Sequence, residues 1–133
     1  MAQVKRYLLD TQIVVWALTA PRRLHAATRD ILNREPVYVS ALSVWEMLLK
    51  QSEGRLRLPE GSLMRTIERA GAQFLPLRPE HAESAAALGL MHGDPIDRLL
   101  IGSARVEGMI LLTRDAQILE RARALLGELL MEA

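Results

Sequence analysis

The sequence predicts an α/β fold with a short, mostly parallel sheet of four to five strands that is covered by helices. Short apolar runs alternate along the chain with longer segments of helical periodicity, an order typical of parallel sheets. The runs are apolar at successive positions, which is typical of strands buried on both faces. The 133 residues suffice for one domain with one core and are too few for two.

Each element follows from its own local pattern. Four strands are predicted at the apolar runs 7–9, 37–40, 72–77 and 109–113. Six helices are predicted at 11–18, 26–34, 41–51, 62–70, 79–90 and 95–107. The helix at 95–107 is the clearest, because its apolar and small residues form one stripe and Gly108 supplies a helix end.

The connecting segments and the end of the chain are less regular. We expect a long loop at 53–62 and a link between two helices at 19–25. After Asp115 the pattern fits either one broken helix or a helix followed by a short edge strand, and we favour the second.

Composition excludes several kinds of site and partner. The formal net charge is +1, so no global field attracts polyanions and any contact with nucleic acid must be local. Without cysteine there are no disulfides or thiolate metal sites, and the three separated histidines disfavour a zinc site. No apolar run approaches the roughly 20 residues of a membrane span, so we expect a soluble, cytoplasmic protein without a membrane partner.

Two aspartates follow predicted strands. Asp10 closes the first strand, and Asp115 follows the strand at 109–113. In an open parallel sheet, ligands bind beyond the carboxyl ends of the strands. Each aspartate alone is better explained as the N-cap of the next helix, but their convergence on one edge favours chemistry.

Three further acidic residues are candidates for the same edge. Asp94 precedes Pro95 and is a typical N-cap, whereas Asp97 either complements the helix dipole or points into a site. Glu46 lies in an apolar helix that we expect to be largely buried, so its charge needs a partner or a function. The alternative for Glu46 is an i,i+4 ion pair with Lys50.

Four carboxylates in one crevice would predict a metal site. Asp10, Glu46, Asp97 and Asp115 would repel one another unless cations neutralise them. Mg²⁺ or Mn²⁺, held by carboxylates and waters, is the natural counter-charge. Such ions activate water and stabilise both oxygens of a phosphoryl displacement. The predicted reaction is therefore metal-assisted hydrolysis of a phosphoester.

Four segments, in this order and at these separations, resemble the PIN-domain ribonucleases and most closely their VapC-type toxins: LLDTQIVVWAL, VSALSVWEM, HGDPIDRLLIGSA and LLTRDAQI. The resemblance covers essentially the whole chain, 1–133, as a single PIN-like domain. It implies a three-layer α/β/α sandwich and a Mg²⁺- or Mn²⁺-dependent endoribonuclease.

The resemblance also implies the site residues. It makes Asp10, Glu46, Asp97 and Asp115 the catalytic, metal-binding quartet. Thr113 matches a hydroxyl residue that forms a hydrogen bond within the site, and Asp94 is left mainly as the cap, with a supporting role at the metal open.

The implied partners are an RNA substrate, a cognate antitoxin that occludes the site, and a second copy in a homodimer. The helix around Trp16 could serve an interface, although ordinary core is favoured. Four arginines could contact RNA phosphates, but for each a plain surface role is favoured: Arg22, Arg23, Arg98 and Arg114. Gln12 and Ile118 depart from many relatives, which have histidine and an aromatic residue there, and both concern substrate handling.

Two alternatives stay open. One is a small-molecule phosphatase, or a phosphoacceptor domain of the receiver type. Against the phosphatase, the position two residues after Asp10 is Gln12 rather than a second aspartate, and a receiver's acidic pair and lysine are missing. The other is a noncatalytic interaction module, which would be expected to lose one of the four acids.

Overall fold

The structure is a computed structural model that describes residues 4–88 and 93–133. Within these residues five strands form one sheet: β1 (Tyr7–Leu9), β2 (Val37–Ser40), β3 (Gln73–Leu75), β4 (Ile110–Thr113) and β5 (Leu130–Glu132). Their order is β3-β2-β1-β4-β5, and every neighbouring pair is parallel. The predicted parallel sheet is confirmed, with its fifth strand at the edge.

Eight α-helices are found in the described part of the chain: α1 (Thr11–Thr19), α2 (Ala26–Arg34), α3 (Ala41–Ser52), α4 (Leu63–Arg69), α5 (Pro79–Ala86), α6 (Pro95–Glu107), α7 (Ala116–Arg121) and α8 (Arg123–Leu126). The helix predicted at 79–90 ends earlier, at Ala86, and residues 89 and 90 lie outside the described residues. After Asp115 the chain forms both a broken helix and an edge strand. No described helix is long and apolar enough to cross a membrane.

Helices cover both faces of the sheet, because alternate strand residues belong to two separate cores. Tyr7 and Leu9 of β1 belong to one core, which α1 and α4 complete with Ile13, Val14 and Ile67. Leu8, between them, belongs to the other, which includes Leu100, Ile101 and Ala104 of α6 and Ile118 of α7. The expected three-layer α/β/α arrangement is therefore present.

Helix α3 differs from its prediction. Its apolar sequence indicates a largely buried helix, yet Ser43 and Met47 are its buried residues. Trp45, Leu48 and Leu49 are 56%, 44% and 41% exposed. The expectation was wrong because α3 carries apolar residues on nearly all of its faces. Only one stripe of the helix packs against the core, and the other apolar side chains stay partly exposed.

Helices α5 and α6 approach each other closely at Gly102. A Cβ atom at this position would lie 2.7 Å from the backbone nitrogen of Ala85 and 2.8 Å from the carbonyl oxygen of His81. The buried His81 also joins the two helices, since its Nδ1 accepts the Arg78 backbone N–H (3.1 Å) and its Nε2 lies 2.8 Å from Glu107 Oε2. This Nδ1 contact leaves the ring proton on Nε2 as the donor to Glu107. The packing seats α6, whose first turn carries Asp97.

We expect Gly102→Ala to lower the free energy of unfolding by about 1–3 kcal/mol, the usual cost of overpacking. In an unobstructed helix the same change would raise stability by about 1 kcal/mol. The sign of the change, measured by urea unfolding followed by circular dichroism, therefore tests the close approach. A stabilised variant would contradict it.

Candidate active site

The carboxyl ends of β1 and β4 bring Asp10 and Thr113 together. The two strands pair in parallel with Leu9 beside Leu112, and the Asp10 N–H donates to the Leu112 carbonyl oxygen (2.9 Å). Asp115 follows two residues after Thr113. Both aspartates therefore lie at the edge of the sheet at which the sequence places them.

The Asp10 carboxylate is buried and hydrogen-bonded through both oxygens. Its Oδ1 accepts the Thr11 backbone N–H (2.8 Å), and its Oδ2 accepts the Thr113 hydroxyl (2.7 Å). The Thr113 hydroxyl in turn accepts the Asp115 backbone N–H (3.0 Å). One buried hydroxyl thus links the two aspartates and fixes the orientation of the first.

The electrostatics of Asp10 favour a bound cation. Burial raises the pKa of Asp10 above its ordinary value of 3.8, and the charges of Asp115 and Glu46 raise it further. The hydrogen bonds from Thr113 and Thr11 lower it in part. A cation in the crevice would relieve both the desolvation and the repulsion.

Glu46 reaches the same crevice from α3. The Thr11 and Ser43 hydroxyls, both buried, form a hydrogen bond of 2.9 Å that holds α3 against α1. Glu46 follows Ser43 by one turn of helix, and its side chain is 17% exposed. Its Oε2 lies 3.5 Å from the Lys50 ammonium, so the i,i+4 pair considered from the sequence is present.

Asp94 and Asp97 come from the start of α6. Asp94 is the N-cap, since its Oδ1 accepts the backbone N–H of Ile96 (2.9 Å) and, at 3.4 Å, that of Asp97. Asp115 caps α7 in the same way through Gln117 and Ile118 (2.8 and 3.1 Å). Residue 92, the first of the HGDPID segment, lies outside the described residues.

All five acidic residues line one pocket of about 270 Å³. Its lining is Asp10, Thr11, Gln12, Val15, Glu46, Lys50, Arg55, Leu56, Asp94, Asp97 and Asp115. The structure therefore brings together the predicted quartet and adds Asp94 at the rim. Thr113 stands behind Asp10, fully buried. Capping and lining the pocket are not alternatives, because Asp10, Asp94 and Asp115 do both.

The sequence analysis did not predict a place in this lining for two basic residues. It considered Lys50 only as an ion-pair partner for Glu46, and it did not consider Arg55. The available signal was Gly54, because a glycine after a helix marks a turn that folds the chain back.

Of the four arginines that were singled out, Arg22 is exposed, and the other three have contacts elsewhere. The guanidinium groups of Arg23 and Arg114 lie over the Trp16 ring, 4.7 and 5.4 Å from its centroid. Arg114 also donates to the main-chain oxygens of Ala133 (2.6 Å) and Arg23 (3.0 Å). Arg98 makes a long contact of 3.4 Å with the Ala85 oxygen. Arg114 thus tethers β5, which gives it a structural role.

The donor set fits a hard divalent cation. As the side chains stand, no three His, Asp or Glu residues in the described ranges are grouped closely enough to hold a metal ion. The lining is nevertheless suited to Mg²⁺, because its side chains offer several carboxylate oxygens, which are ligands that this ion prefers. Asp10 is oriented in advance, and Glu46 already faces a cation, the Lys50 ammonium.

We expect Asp10→Asn to raise the free energy of unfolding of the metal-free protein at pH 7. The pKa of Asp10 in the folded protein lies above its ordinary value of 3.8. The contribution of this group to the free energy of unfolding is therefore fully present below pH 3.8 and is lost as pH rises through the folded-state pKa. Asparagine keeps the cap and buries no charge.

Urea unfolding in EDTA across a pH series measures this effect. The advantage of Asp10→Asn should shrink as pH falls towards 3.8. The exposed Asp30 of α2 supplies the matched control, Asp30→Asn, which should change little. An Asp10→Asn variant that is less stable than the wild type at pH 7 would contradict the account.

Comparison with known proteins agrees with this geometry. A family model described as the PIN domain matches residues 7–124. Ribonuclease VapC22 of Mycobacterium tuberculosis is 30% identical over 115 residues, which cover 84% of this chain and 88% of that protein.

Solved structures share the fold. The DNA-bound VapBC structure from Salmonella typhimurium matches with a TM-score of 0.67 at 14% identity, covering 98% of each chain. A toxin–antitoxin complex from Klebsiella pneumoniae matches at 0.65 and 16% identity, covering 94% of this chain and 95% of that one. The FitAcB structure from Neisseria gonorrhoeae matches at 0.56 and 24% identity, with coverages of 84% and 88%. These structures show the shared fold, and the family model and the VapC relative show that this chain belongs to the PIN domain family and, within it, to the VapC group.

Proposed function

We propose that the protein is a divalent-metal-dependent endoribonuclease and the toxin of a toxin–antitoxin pair. The observation that carries this proposal is the convergence of Asp10, Glu46, Asp97 and Asp115 on one pocket in a chain of the VapC group. The ribonuclease name of the relative that is 30% identical supports RNA as the substrate.

The four carboxylates would hold Mg²⁺ or Mn²⁺, which when bound supplies charge neutralisation and an acidified water for phosphodiester hydrolysis. The hydrogen bonds from Thr11 and Thr113 hold the Asp10 carboxylate in place and leave each oxygen a lone pair for a ligand. The oxygen of the attacking water would form the new P–O bond and its proton would pass to one of these carboxylates, while the P–O bond to the leaving ribose oxygen breaks and that oxygen takes up a proton from solvent. No covalent intermediate is needed, and Gln12 stands where a phosphatase of the aspartyl-phosphate type would have its second aspartate.

Substitutions at Asp94 and Asp97 test the capping role and the catalytic role separately. We expect purified protein to cut RNA in Mg²⁺ or Mn²⁺ and not in EDTA. Loss of a residue that only supports a metal ligand commonly lowers metal affinity or activity by about 10–100-fold. Asp97→Asn removes a proposed direct ligand, so it should lower the rate of RNA cleavage by about 100-fold or more. Asp94→Asn should stay within about tenfold, because asparagine also caps helices.

A panel of structured and single-stranded RNAs is the substrate for this comparison, with circular dichroism to check the fold of each variant. Equal losses in both variants would remove the distinction between the two aspartates. Cutting that persists in EDTA would refute the metal requirement. Absence of cutting by folded, antitoxin-free protein that binds metal would favour the phosphatase or the interaction module.

We also propose that a cognate antitoxin covers the acidic pocket, and that the protein acts on RNA in the cytoplasm. Residues of α1, α2 and α4 line an apolar groove, among them Val14, Leu18 and Leu32. Val14 lines this groove and its neighbour Val15 lines the acidic pocket, so one segment of a partner can reach both. A basic side chain of that segment would find the carboxylates.

We also propose a homodimer, supported by the exposed apolar side chains of α3. Trp45, Leu48 and Leu49 stand at i, i+3 and i+4, on one face of the helix, and such patches commonly mark interfaces. Light scattering should give twice the mass of the chain for the wild type, and Leu48→Glu should give a monomer. The control is Met64→Glu, an exposed position on α4. A monomeric wild type would refute the dimer.

A further inference from the structure

We propose that Lys50 and Arg55 form a phosphate-binding edge of the acidic pocket, which holds the RNA strand beside the carboxylates. The inference rests on the proposed ribonuclease function and deepens it, because it assigns substrate binding to two residues of this chain. Both residues line the pocket that the five acidic side chains line.

Lys50 stands one helical turn beyond Glu46, and its side chain is 37% exposed. Its ammonium lies 3.5 Å from Glu46 Oε2. An i,i+4 ion pair contributes little stability, so an RNA phosphate can compete with Glu46 for the ammonium. A metal ion that neutralises Glu46 would weaken its hold on the ammonium further, so that the ammonium is available to an anionic phosphate with or without the metal.

Arg55 is brought to the pocket by the turn that ends α3. Gly54 has a φ of +72°, and its N–H donates to the Gln51 carbonyl oxygen (3.1 Å). The Arg55 N–H donates to the carbonyl oxygen of Lys50 itself (2.8 Å). These two bonds are those of a Schellman motif, and they tie the backbones of the two basic residues together.

The segment after the turn keeps Arg55 in position. Leu56 packs against the hydrophobic core, so Arg55 lies between a fixed turn and an anchored residue. Its side chain is 65% exposed, and among the described residues its one ion pair is a long contact of 3.6 Å with Glu53. Guanidinium groups pair with phosphate through two parallel hydrogen bonds, and this one is available for that purpose.

Charge explains why such an edge is needed. A net charge of +1 gives no general attraction for RNA, and five carboxylates repel its phosphates. Contacts between basic side chains and phosphates supply most of the affinity of proteins for nucleic acids and position the strand. Lys50 and Arg55 place positive charge at the point where the strand must approach the acids.

The first test measures RNA binding in EDTA, where the proposed nuclease is inactive. Fluorescence anisotropy of a labelled single-stranded RNA would compare wild type, Lys50→Gln, Arg55→Gln and the double variant across KCl concentrations. Each lost phosphate contact should weaken binding about fivefold at 0.1 M salt and reduce the slope of log K against log [salt] by about 0.7. The control is Arg57→Gln, an exposed arginine of the same loop outside the pocket lining, which should bind like the wild type.

The second test separates substrate binding from a merely structural role. With Mg²⁺, both variants should raise KM for RNA while kcat changes little. Calorimetric titration with Mn²⁺ alone should show that Lys50→Gln binds the metal at least as tightly as the wild type, because a competing cation has been removed. Weaker Mn²⁺ binding by Lys50→Gln would overturn the proposed exchange.

The outcomes distinguish this inference from the proposed function. If the wild type cuts RNA while Lys50→Gln and Arg55→Gln bind and cut like Arg57→Gln, the phosphate-binding edge is refuted and the nuclease stands. If no cutting occurs but the two variants still lose affinity for RNA, the edge stands and the nuclease is refuted.

Discussion

The buried carboxylate of Asp10 is the constraint on which the rest of the site depends. A buried charge is costly unless it is hydrogen-bonded, and here Thr11 and Thr113 provide the donors. The same network joins β1 to β4, starts α1, and through the Thr113 hydroxyl positions Asp115 at the start of α7. The hydrogen bonds only partly offset the desolvation, so the pKa of Asp10 stays raised. A cation bound in the crevice would therefore stabilise the ionised carboxylate.

Structural and chemical roles coincide at this edge of the sheet. Asp10, Asp94 and Asp115 each cap a helix and each line the pocket. The cap fixes where each carboxylate stands, because the backbone N–H groups of a helix start are held rigidly by the helix. Asparagine substitutions keep the cap and remove the charge, so they separate the two roles more cleanly than alanine would.

Much of this arrangement could be predicted from the sequence, because local patterns determine it. Strands β1, β2 and β4, helix α6 and the positions of Asp10 and Asp115 follow from apolar runs and strand ends. The exposure of α3 could not be predicted, since it depends on which neighbours cover an apolar helix. The place of Arg55 depends on a turn at Gly54, and the role of Arg114 depends on contacts with Trp16 and Ala133, which are distant in the sequence from one another.

The central claim is that the acidic pocket binds a divalent metal, and the most direct measurement is the position of Mn²⁺ in crystals of the wild-type protein. Anomalous scattering locates Mn²⁺ without reference to activity. The account predicts an ion between Asp10 and its neighbours Asp97 and Asp115, with Glu46 turned from Lys50 towards the metal or its waters. Crystals grown at saturating Mn²⁺ that hold no ion in this pocket would contradict it.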